Sequence, residues 1–376
     1  MLSLYIHIPF CVKKCLYCGF YSTQYDQALA DDYLSAMRLE AFCYKDSFKD
    51  RLFESIYIGG GTPTTLSRKQ LKRVLDIISD NFHAAGDAEI TVEANPNTIT
   101  GENLQYLIER GTNRLSIGVQ SFKDHILKTL GRLHTAGQAM AAVSIARRSG
   151  VKNLSIDLIY GIPGQRIKDW EDTLLQAIAL KPEHISAYGL SLDEGSFFMQ
   201  EAGAGRIALP GEDLVARMYE RAIAVLADSG YGHYEISNFA LPGFECRHNM
   251  NYWERGEYLG LGPGAWSFIS NRRYHAIADA REYVRRLGAG GSVLEEEETV
   301  GCDQAATESL MLRLRTSAGI DLVRYEREYG TSAYERIAKN LHELRDAGLF
   351  QVRGNRLQLT NRGKLLSNEA IARLTA

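Results

Sequence analysis

The sequence lacks the features that mark membrane, secreted and nucleic-acid-binding proteins. Its 376 residues contain no apolar run that approaches the ~18 residues of a membrane span, and no cationic segment of a secretion signal precedes His7. Charge of one sign is not in large excess either, since 43 Lys and Arg residues oppose 46 Asp and Glu residues, for a net charge of −3. That balance gives no electrostatic reason to bind nucleic acid or an anionic membrane. We therefore expect a cytoplasmic protein that binds no nucleic acid and is not integral to a membrane.

Cysteine is scarce but clustered. Three of the six cysteines, Cys11, Cys15 and Cys18, fall within eight residues. In a reducing compartment such a cluster indicates metal binding or redox chemistry rather than a disulfide. The other three stand far apart and are expected to be small buried hydrophobes: Cys43, Cys246 and Cys302.

The first half of the chain alternates between strand and helix patterns. Six short runs of apolar, β-branched or aromatic residues predict strands at 4–8, 55–58, 89–92, 115–119, 154–159 and 184–190. Between them lie amphipathic helices, two of which open with capping-box patterns, Ser67-x-x-Gln70 and Thr135-x-x-Gln138. This order predicts an α/β fold of right-handed βαβ units around one parallel sheet, either open or closed into a full or partial barrel. In each case a ligand is expected at the carboxyl ends of the strands.

The second half is organised differently. A helix is predicted at 212–226, an aromatic-rich and glycine-rich segment follows at 231–268, and the acidic run 295–298 is expected to be a solvated loop or linker. Three helical patterns and a hairpin then predict a small C-terminal domain of winged-helix type, at 304–314, 322–328, 334–347 and 350–359. The expected division is 1–240 for the core, 241–298 for a connecting region and 299–376 for the C-terminal domain.

The clustered cysteines favour an iron–sulfur site. Three thiolates cannot complete a structural zinc site, which takes four ligands, unless His7 supplies the fourth. A cubane [4Fe–4S] cluster normally takes four cysteines, so three would leave one iron open to bind another molecule.

The pattern Cys11-x3-Cys15-x2-Cys18, in the loop after the first strand of a βα repeat, resembles the radical S-adenosylmethionine (SAM) superfamily. The resemblance implies a partial parallel (β/α) barrel of about six repeats with a small helical C-terminal domain. It also implies that the open iron chelates the amino and carboxylate groups of SAM, and that an electron from the cluster cleaves the sulfonium to a 5′-deoxyadenosyl radical.

The ends of the later strands carry the residues that the resemblance assigns to SAM. Gly59-Gly60-Gly61-Thr62-Pro63 resembles the segment whose backbone approaches the SAM amino group. A guanidinium suits the SAM carboxylate, carboxylates suit ribose hydroxyls, and a tyrosine ring suits adenine. Each residue taken alone could equally be a polar or packing residue of a loop. The expected SAM-binding residues are Tyr5, Tyr17, Gly60, Gly61, Thr62, Glu93, Gln120, Arg132 and Asp157.

Within the superfamily, the segment from Tyr5 to Cys11, Tyr-Ile-His-Ile-Pro-Phe-Cys, resembles the HemN/HemW group. This group comprises oxygen-independent coproporphyrinogen III dehydrogenases and their haem-binding relatives. The dehydrogenases carry a further cysteine where this chain has Phe20, and they carry an extension before the first strand, which here is expected at 4–8. Both differences favour the haem-binding branch.

A motif further along the chain, His248-Asn-x-x-Tyr252-Trp253, matches the H-N-x-x-Y-W pattern of that branch. An imidazole can be an axial ligand of haem iron, and Tyr and Trp can pack on a porphyrin face. The alternative is a buried histidine beside core aromatics. In one departure, Trp266 stands where the group often has a histidine after Gly-Ala.

The leading hypothesis is therefore a haem chaperone that binds a [4Fe–4S] cluster, SAM and haem, accepts electrons from a donor and transfers haem to acceptor proteins. One alternative is a dehydrogenase that converts coproporphyrinogen III to protoporphyrinogen IX by radical decarboxylation. A third, an iron–sulfur electron carrier or zinc scaffold, leaves the polar strand ends without a role.

Overall fold

Each predicted strand forms where a run of β-branched and apolar residues can be buried on a helix-covered sheet. A computed structural model describes residues 1–375. Its strands are β1 (Leu2–Ile8), β2 (Phe10–Cys11), β3 (Thr23–Gln24), β4 (Leu52–Gly60), β5 (His83–Ala94), β6 (Arg114–Gln120), β7 (Asn153–Tyr160), β8 (His184–Gly189), β9 (Gly232–His233), β10 (Asn238–Ala240), β11 (Glu257–Leu261), β12 (Trp266–Ile269), β13 (Arg272–Ala276), β14 (Leu294–Thr299), β15 (Ile320–Asp321), β16 (Phe350–Arg353) and β17 (Arg356–Leu359).

Helices connect the strands, and those of the parallel βα repeats cover the outer face of the main sheet. They are α1 (Gln27–Phe48), α2 (Arg68–Asn81), α3 (Gly101–Glu109), α4 (Asp124–Thr129), α5 (Ala136–Arg148), α6 (Ile167–Ala179), α7 (Phe197–Gly203), α8 (Glu212–Asp228), α9 (Arg247–Trp253), α10 (Ala280–Gly288), α11 (Cys302–Arg313), α12 (Leu322–Tyr329), α13 (Thr331–Asp346), α14 (Asn361–Leu365) and α15 (Ser367–Thr375). None of these helices is both long and apolar enough to cross a membrane.

The main sheet has twelve strands in the order β14-β13-β12-β11-β1-β4-β5-β6-β7-β8-β10-β9. The six predicted strands lie side by side and parallel, as the βαβ pattern requires. β11 adds a seventh parallel strand beside β1, and the strands at both edges are antiparallel. Nothing in the sequence pattern predicts this extension, because the aromatic-rich segment shows no clear period of two.

The predicted capping boxes are confirmed. In α2, the Ser67 hydroxyl accepts from the Gln70 amide and the Gln70 side chain accepts from the Ser67 amide; α5 begins in the same way. The predicted apolar face of α2 is buried against the sheet: Leu71, Val74, Leu75 and Ile78.

Two expectations are wrong. Residues 295–298 are not a loop but part of β14, an exposed edge strand whose glutamates face Arg272 and Arg273 of β13. Cross-strand pairs of opposite charge stabilise a strand that carries no apolar alternation. Of the isolated cysteines, only Cys246 is buried; Cys43 and Cys302 are exposed, on the outer side of α1 and in the first turn of α11.

The C-terminal residues form a second, smaller core around the predicted helices and hairpin. β15 joins the hairpin to give a three-stranded sheet, and α14 and α15 follow it. Ala376, the last residue of the expected C-terminal domain, lies outside the described residues.

The C-terminal unit touches both edges of the large sheet. The Ser317 amide donates to the Tyr234 carbonyl beside β9, and Glu308 of α11 pairs with Arg273 of β13 at the opposite end. Glu308 and Ser317 are only nine residues apart in the chain, yet they contact opposite edges of the sheet. The two edges must therefore lie near each other, so the twelve-stranded sheet curls as a partial barrel does.

Candidate functional site

The inner face of the curled sheet is polar. Side chains alternate along a strand, so Leu4, Ile6 and Ile8 of β1 pack outward into the core, whereas Ser3, Tyr5 and His7 point inward. The neighbouring strands place further polar groups on the same face, and most are buried: Ser55, Tyr57, Glu89, Thr91, Glu93, Arg114, Ser116, Ser155, Asp157, His184 and Ser186. Burying polar groups costs free energy unless they bond to one another or to a ligand. Packing alone therefore does not explain the polar residues of this face.

The three clustered cysteines lie in one loop at the carboxyl end of β1. Two backbone hydrogen bonds anchor the loop at Leu16. The Leu16 amide donates to the Leu130 carbonyl, and the Phe198 amide donates to the Leu16 carbonyl. Leu16 and Tyr17 pack on a small apolar cluster that includes Leu130 and Phe198. The loop is therefore held in place by protein contacts.

The thiols are half-buried and have polar neighbours. Burial raises the pKa of Cys11, and it raises that of Cys18 to about 11. Arg132 Nη1 lies 3.2 Å from Cys15 Sγ, and Thr62 Oγ1 lies 3.6 Å from Cys11 Sγ. The Arg132 guanidinium therefore brings a positive charge beside one of the three sulfurs.

Within residues 1–375, no three metal-binding side chains converge on one point. A cubane does not require this, since each thiolate binds a different iron, whereas a zinc ion does. His7 is engaged, because Nδ1 bonds the Tyr5 hydroxyl at 3.0 Å and Nε2 bonds the Tyr21 carbonyl at 2.9 Å. The fourth ligand that a zinc scaffold needs is thus held elsewhere, and the loop fits the iron–sulfur cluster better.

The glycines after β4 are required by close approach to β1. Gly60 has φ +103°, and a Cβ there would lie 2.6 Å from the His7 ring. A Cβ on Gly61 would lie 2.7 Å from the Phe10 carbonyl oxygen, which accepts from the Thr62 amide. These glycines bring the segment against the residues that lead into Cys11.

The predicted carboxylates face the inside of the sheet. Glu93 accepts from the Tyr57 hydroxyl at 2.7 Å and from the Gly60 amide at 3.2 Å, and burial raises its pKa to about 7. Asp157 accepts from Ser186 at 2.7 Å and from Ser116 at 3.0 Å, and burial raises its pKa too. Two carboxyl groups that lack a cationic bond partner can receive the hydroxyls or the cation of a ligand.

Arg132 links the cluster loop to the strand ends. Its Nη2 donates to the Gly118 carbonyl at 2.6 Å and to the Asn95 side chain, and Asn95 in turn donates to Thr62 at 2.7 Å.

Gln120 follows a bulge in β6 and has φ +67°, an uncommon conformation for a residue other than glycine. Sequence reasoning missed Asn95, whose only signal was its place directly after β5.

The His248 motif lies at the opposite end of the inner face. It forms α9, which packs beneath β4 near Ser55, five residues and about 16 Å before Gly60 along the strand. His248 is buried; Nδ1 bonds Ser55 Oγ and Nε2 bonds the Tyr252 hydroxyl, each at 2.9 Å. Burial lowers the pKa of His248 to about 3.

This arrangement is the buried histidine that the sequence left open as an alternative. Trp253 is half-buried in the same helix. The structure brings the cysteines, Thr62, Glu93 and Arg132 to one end of the sheet, and it does not bring His248, Tyr252 and Trp253 to them. A haem role for these three residues remains a prediction, and it requires His248 to give up a hydrogen bond first.

The comparisons with known proteins agree with this geometry. A profile described as Radical SAM superfamily matches residues 5–177, and one described as HemN C-terminal domain matches residues 303–366. The chain is 36% identical over 370 residues to a Bacillus subtilis (strain 168) protein named "Heme chaperone HemW", covering 98% of each chain. It is 34% identical over 371 residues to the Escherichia coli (strain K12) protein of that name, covering 98% of this chain and 97% of the other.

Among solved structures, the radical SAM enzyme coproporphyrinogen III oxidase (HemN) of Escherichia coli superposes with a TM-score of 0.88 at 27% identity. The match covers 100% of this chain and 90% of that one. Superfamily membership implies a [4Fe–4S] cluster and SAM. The chain belongs to the HemW family of the radical SAM superfamily.

Proposed function

We propose that this protein is a haem chaperone that holds a [4Fe–4S] cluster and SAM at the carboxyl ends of its parallel strands, binds haem and transfers it to acceptor proteins. The proposed binding and transfer of haem rests on one observation, the near-full-length similarity to relatives named "Heme chaperone HemW". The acceptor proteins and an electron donor are the implied partners. An oxygen-sensitive cluster of this kind suits the reducing cytoplasm.

Cys11, Cys15 and Cys18 would hold three irons, and the cluster would supply an open iron and an electron for SAM. The chain's own residues then have distinct tasks. Arg132, fixed by Gly118 and Asn95, keeps a positive charge beside Cys15. Gly60 and Gly61 leave backbone uncovered at the strand end, where the amino group of SAM could bond.

Glu93 and Asp157 face the same space from β5 and β7. Because burial raises the pKa of Glu93 to about 7, this group can bind a hydroxyl as a neutral acid or a positive group as a carboxylate. Tyr5 stands on the same face beside Tyr57, whereas Tyr17 packs against the loop anchors. In this proposal Tyr17 holds the cluster loop in addition to meeting an adenine ring.

We also propose the functional division 1–240, 241–298 and 299–376. The second unit shares the main sheet with the first, because β11 pairs with β1. Its role would be to extend the inner face rather than to act as a separate body.

The dehydrogenase is the second candidate, and the close superposition on HemN favours it. Phe20 weighs against it, because an exposed phenylalanine replaces the cysteine that follows the cluster motif in that enzyme class. The relatives that match nearly the full length of the chain are named as chaperones, which also weighs against the dehydrogenase.

The deciding experiment uses the full-length protein, reconstituted anaerobically with iron and sulfide and supplied with SAM and reductant. One aliquot receives haem and is followed by absorption spectroscopy, and a second receives coproporphyrinogen III and is assayed for protoporphyrinogen IX. We expect stoichiometric haem binding without decarboxylation. Catalytic turnover of the porphyrinogen would replace the chaperone by the dehydrogenase.

Two variants make the cluster assignment testable in the same experiment. Cys15→Ala should lose the iron–sulfur absorption, because two thiolates hold a cubane poorly. Cys43→Ala, at an exposed cysteine of α1, should keep it. An intact cluster spectrum in Cys15→Ala would show that the ligand set is wrong.

A further inference from the structure

An aromatic pair stands partly exposed on the inner face of the sheet extension. Trp266 of β12 and His275 of β13 are register partners, with ring centroids 4.4 Å apart and an interplanar angle of 36°. Trp266 is 43% exposed, and the His275 side chain is 14% exposed. A tryptophan left this open beside a histidine needs a reason, since tryptophan is among the residues that gain most from burial.

Strand register places this pair on the same face as the polar interior. Tyr5 pairs with Gly260 and Ser3 with Tyr258 across β1 and β11. Tyr258 pairs with Phe268 of β12, and Trp266 is two residues from Phe268, so it points to the same side. A Cβ on Gly260 would lie 2.2 Å from the Trp266 carbonyl oxygen, so the glycine permits the sharp return of the chain.

The pair also adjoins the cluster loop. A Cβ on Gly264, which precedes β12, would lie 3.6 Å from Tyr21 Cβ, and the Ala280 amide donates to the Tyr21 hydroxyl at 2.6 Å. Tyr21 follows Cys18 by three residues. The aromatic pair therefore lies at the cluster end of the inner face.

The ring nitrogens of His275 are in the state that metal ligation needs. Nδ1 lies 2.9 Å from the Ala276 carbonyl oxygen, which can only accept, so Nδ1 carries the proton. Nε2 then has its lone pair free, and its nearest charged group is the Glu296 carboxylate at 3.7 Å, on a side chain that is 75% exposed. An Nδ1–H tied to a backbone carbonyl with Nε2 free is the usual arrangement of a metal-binding histidine.

The other eight histidines lack this combination. Five have hydrogen-bonded rings, four of them buried and His233 half-buried: His7, His134, His184, His233 and His248. Three are exposed and have no aromatic ring stacked on them in the described structure: His83, His125 and His342. Within residues 1–375, His275 is the one histidine that combines a free Nε2 with a stacked, partly exposed tryptophan ring.

We propose that His275 is the axial ligand of the haem iron and that Trp266 supplies apolar surface to the porphyrin beside it. This inference rests on the proposed haem-chaperone function and deepens it, since it assigns the cargo a site. Haem would lie next to the cluster loop rather than at α9. Glu296 can turn away from Nε2 because it projects into solvent from an edge strand.

The test is a haem titration of the full-length reconstituted protein, with the Soret band and the spin state of the iron as readouts. His275→Ala should weaken binding by at least about tenfold and shift the Soret band, while the iron–sulfur absorption stays unchanged. Free imidazole, added to the isolated haem complex of that variant, should restore the original spectrum; a merely structural role would not respond to imidazole. His275→Met should keep haem with a different ligand spectrum.

Two further variants make the result specific. His342→Ala, at an exposed histidine of α13, should bind haem as the unchanged protein does. If His248→Ala loses haem while His275→Ala keeps its affinity and spectrum, the ligand is His248 and the inference is overturned, although the chaperone function stands. If the unchanged protein binds no haem, the proposed function itself is overturned.

Discussion

At the residue scale, the carboxyl end of the sheet depends on side chains that each make several contacts. Arg132 touches Cys15, Asn95 and the Gly118 carbonyl, so one guanidinium fixes the cluster loop relative to two strands. Its charge is not balanced by a carboxylate among these contacts. Such a group favours anionic partners, which a cluster with three thiolates would provide.

A buried carboxyl group on α1 makes stability depend on pH. Glu40 accepts from the Tyr283 hydroxyl and from the Gly262 amide, and burial raises its pKa to about 7, from 4.5. The folded protein therefore holds a proton that the unfolded chain has already released between these two values. Because the folded state binds more protons in this window, the free energy of unfolding falls as pH rises through it.

We expect Glu40→Gln to remove this part of the pH dependence, because an amide can accept the same hydrogen bonds but does not titrate. Relative to the unchanged protein, the variant should gain stability between pH 5 and pH 8, by up to about 3 kcal/mol. The free energies of unfolding of both proteins, measured at pH 5 and at pH 8, give this difference. Glu109→Gln, at an exposed position of α3, is the control and should show no such gain. A constant offset at both pH values would mean that Glu40 is ionised throughout.

At the element scale, local sequence patterns predict some strands and helix starts. Other elements form only because residues distant in sequence pair with them. The six parallel strands and both capping boxes followed from short runs and four-residue motifs. β14 did not, because Glu295–Glu298 become a strand only when Arg272 and Arg273 lie opposite. The position of α9 was equally out of reach, and so was the placement of the Trp266–His275 hairpin, because both depend on pairing with strands far away in sequence.

The candidate site divides in the same way. The cysteine loop, Gly60 and Arg132 could be found from motifs because they follow strand ends, which a parallel sheet gathers at one edge. His248 was visible as a motif, but its burial was not. Asn95 and His275 had no motif, and only their contacts reveal them.

Helix α9 depends on one buried carboxylate. Glu89 of β5 accepts from the Arg247 and His248 amides at 3.2 and 3.1 Å, so it satisfies the first amides of the helix. It also lies near the buried Arg114, whose pKa it helps to raise against the effect of burial. Removing Glu89 would leave the first amides of the helix without their acceptor and would take one negative charge away from the neighbourhood of the buried Arg114.

We expect Glu89→Ala to destabilise the protein by about 3 kcal/mol, because two amides at the start of α9 lose their charged acceptor and the buried Arg114 loses one nearby negative charge. Glu89→Gln should cost less, since it keeps acceptors for the amides. Thermal unfolding measures the effect, and the iron–sulfur absorption should survive at low temperature, because the cluster loop is at the other end of the strands. Asp87→Ala is the matched control: Asp87 is two residues away and pairs with Arg247, but it is exposed. Equal losses in both variants would contradict this role.

At the scale of the whole molecule, the C-terminal unit closes the curl of the sheet. It meets the β9 edge through a bridge between Thr316 and Glu235, and the other edge through Glu308 of α11. The sequence predicted this unit but not its docking, because the contacts join residues that are far apart in the chain and show no periodic pattern. A unit that touches both edges controls the width of the inner face between them.

We expect Glu308→Ala to loosen this closure. Glu308 bonds Arg255 at 3.0 Å and Arg273 at 2.8 Å, and Arg255 is largely buried, so the variant leaves two guanidinium groups without their shared partner. The cost should be about 2 kcal/mol, less than for a fully buried pair because Arg273 is partly solvated. Limited proteolysis near residues 299–303 should become faster, while the cluster spectrum stays unchanged. Asp303→Ala on the same helix, whose exposed side chain pairs with Arg336, should be cleaved at the original rate. If both variants were cleaved alike, the closure would depend on the Thr316–Glu235 contact, and Glu308 would serve only as a surface charge.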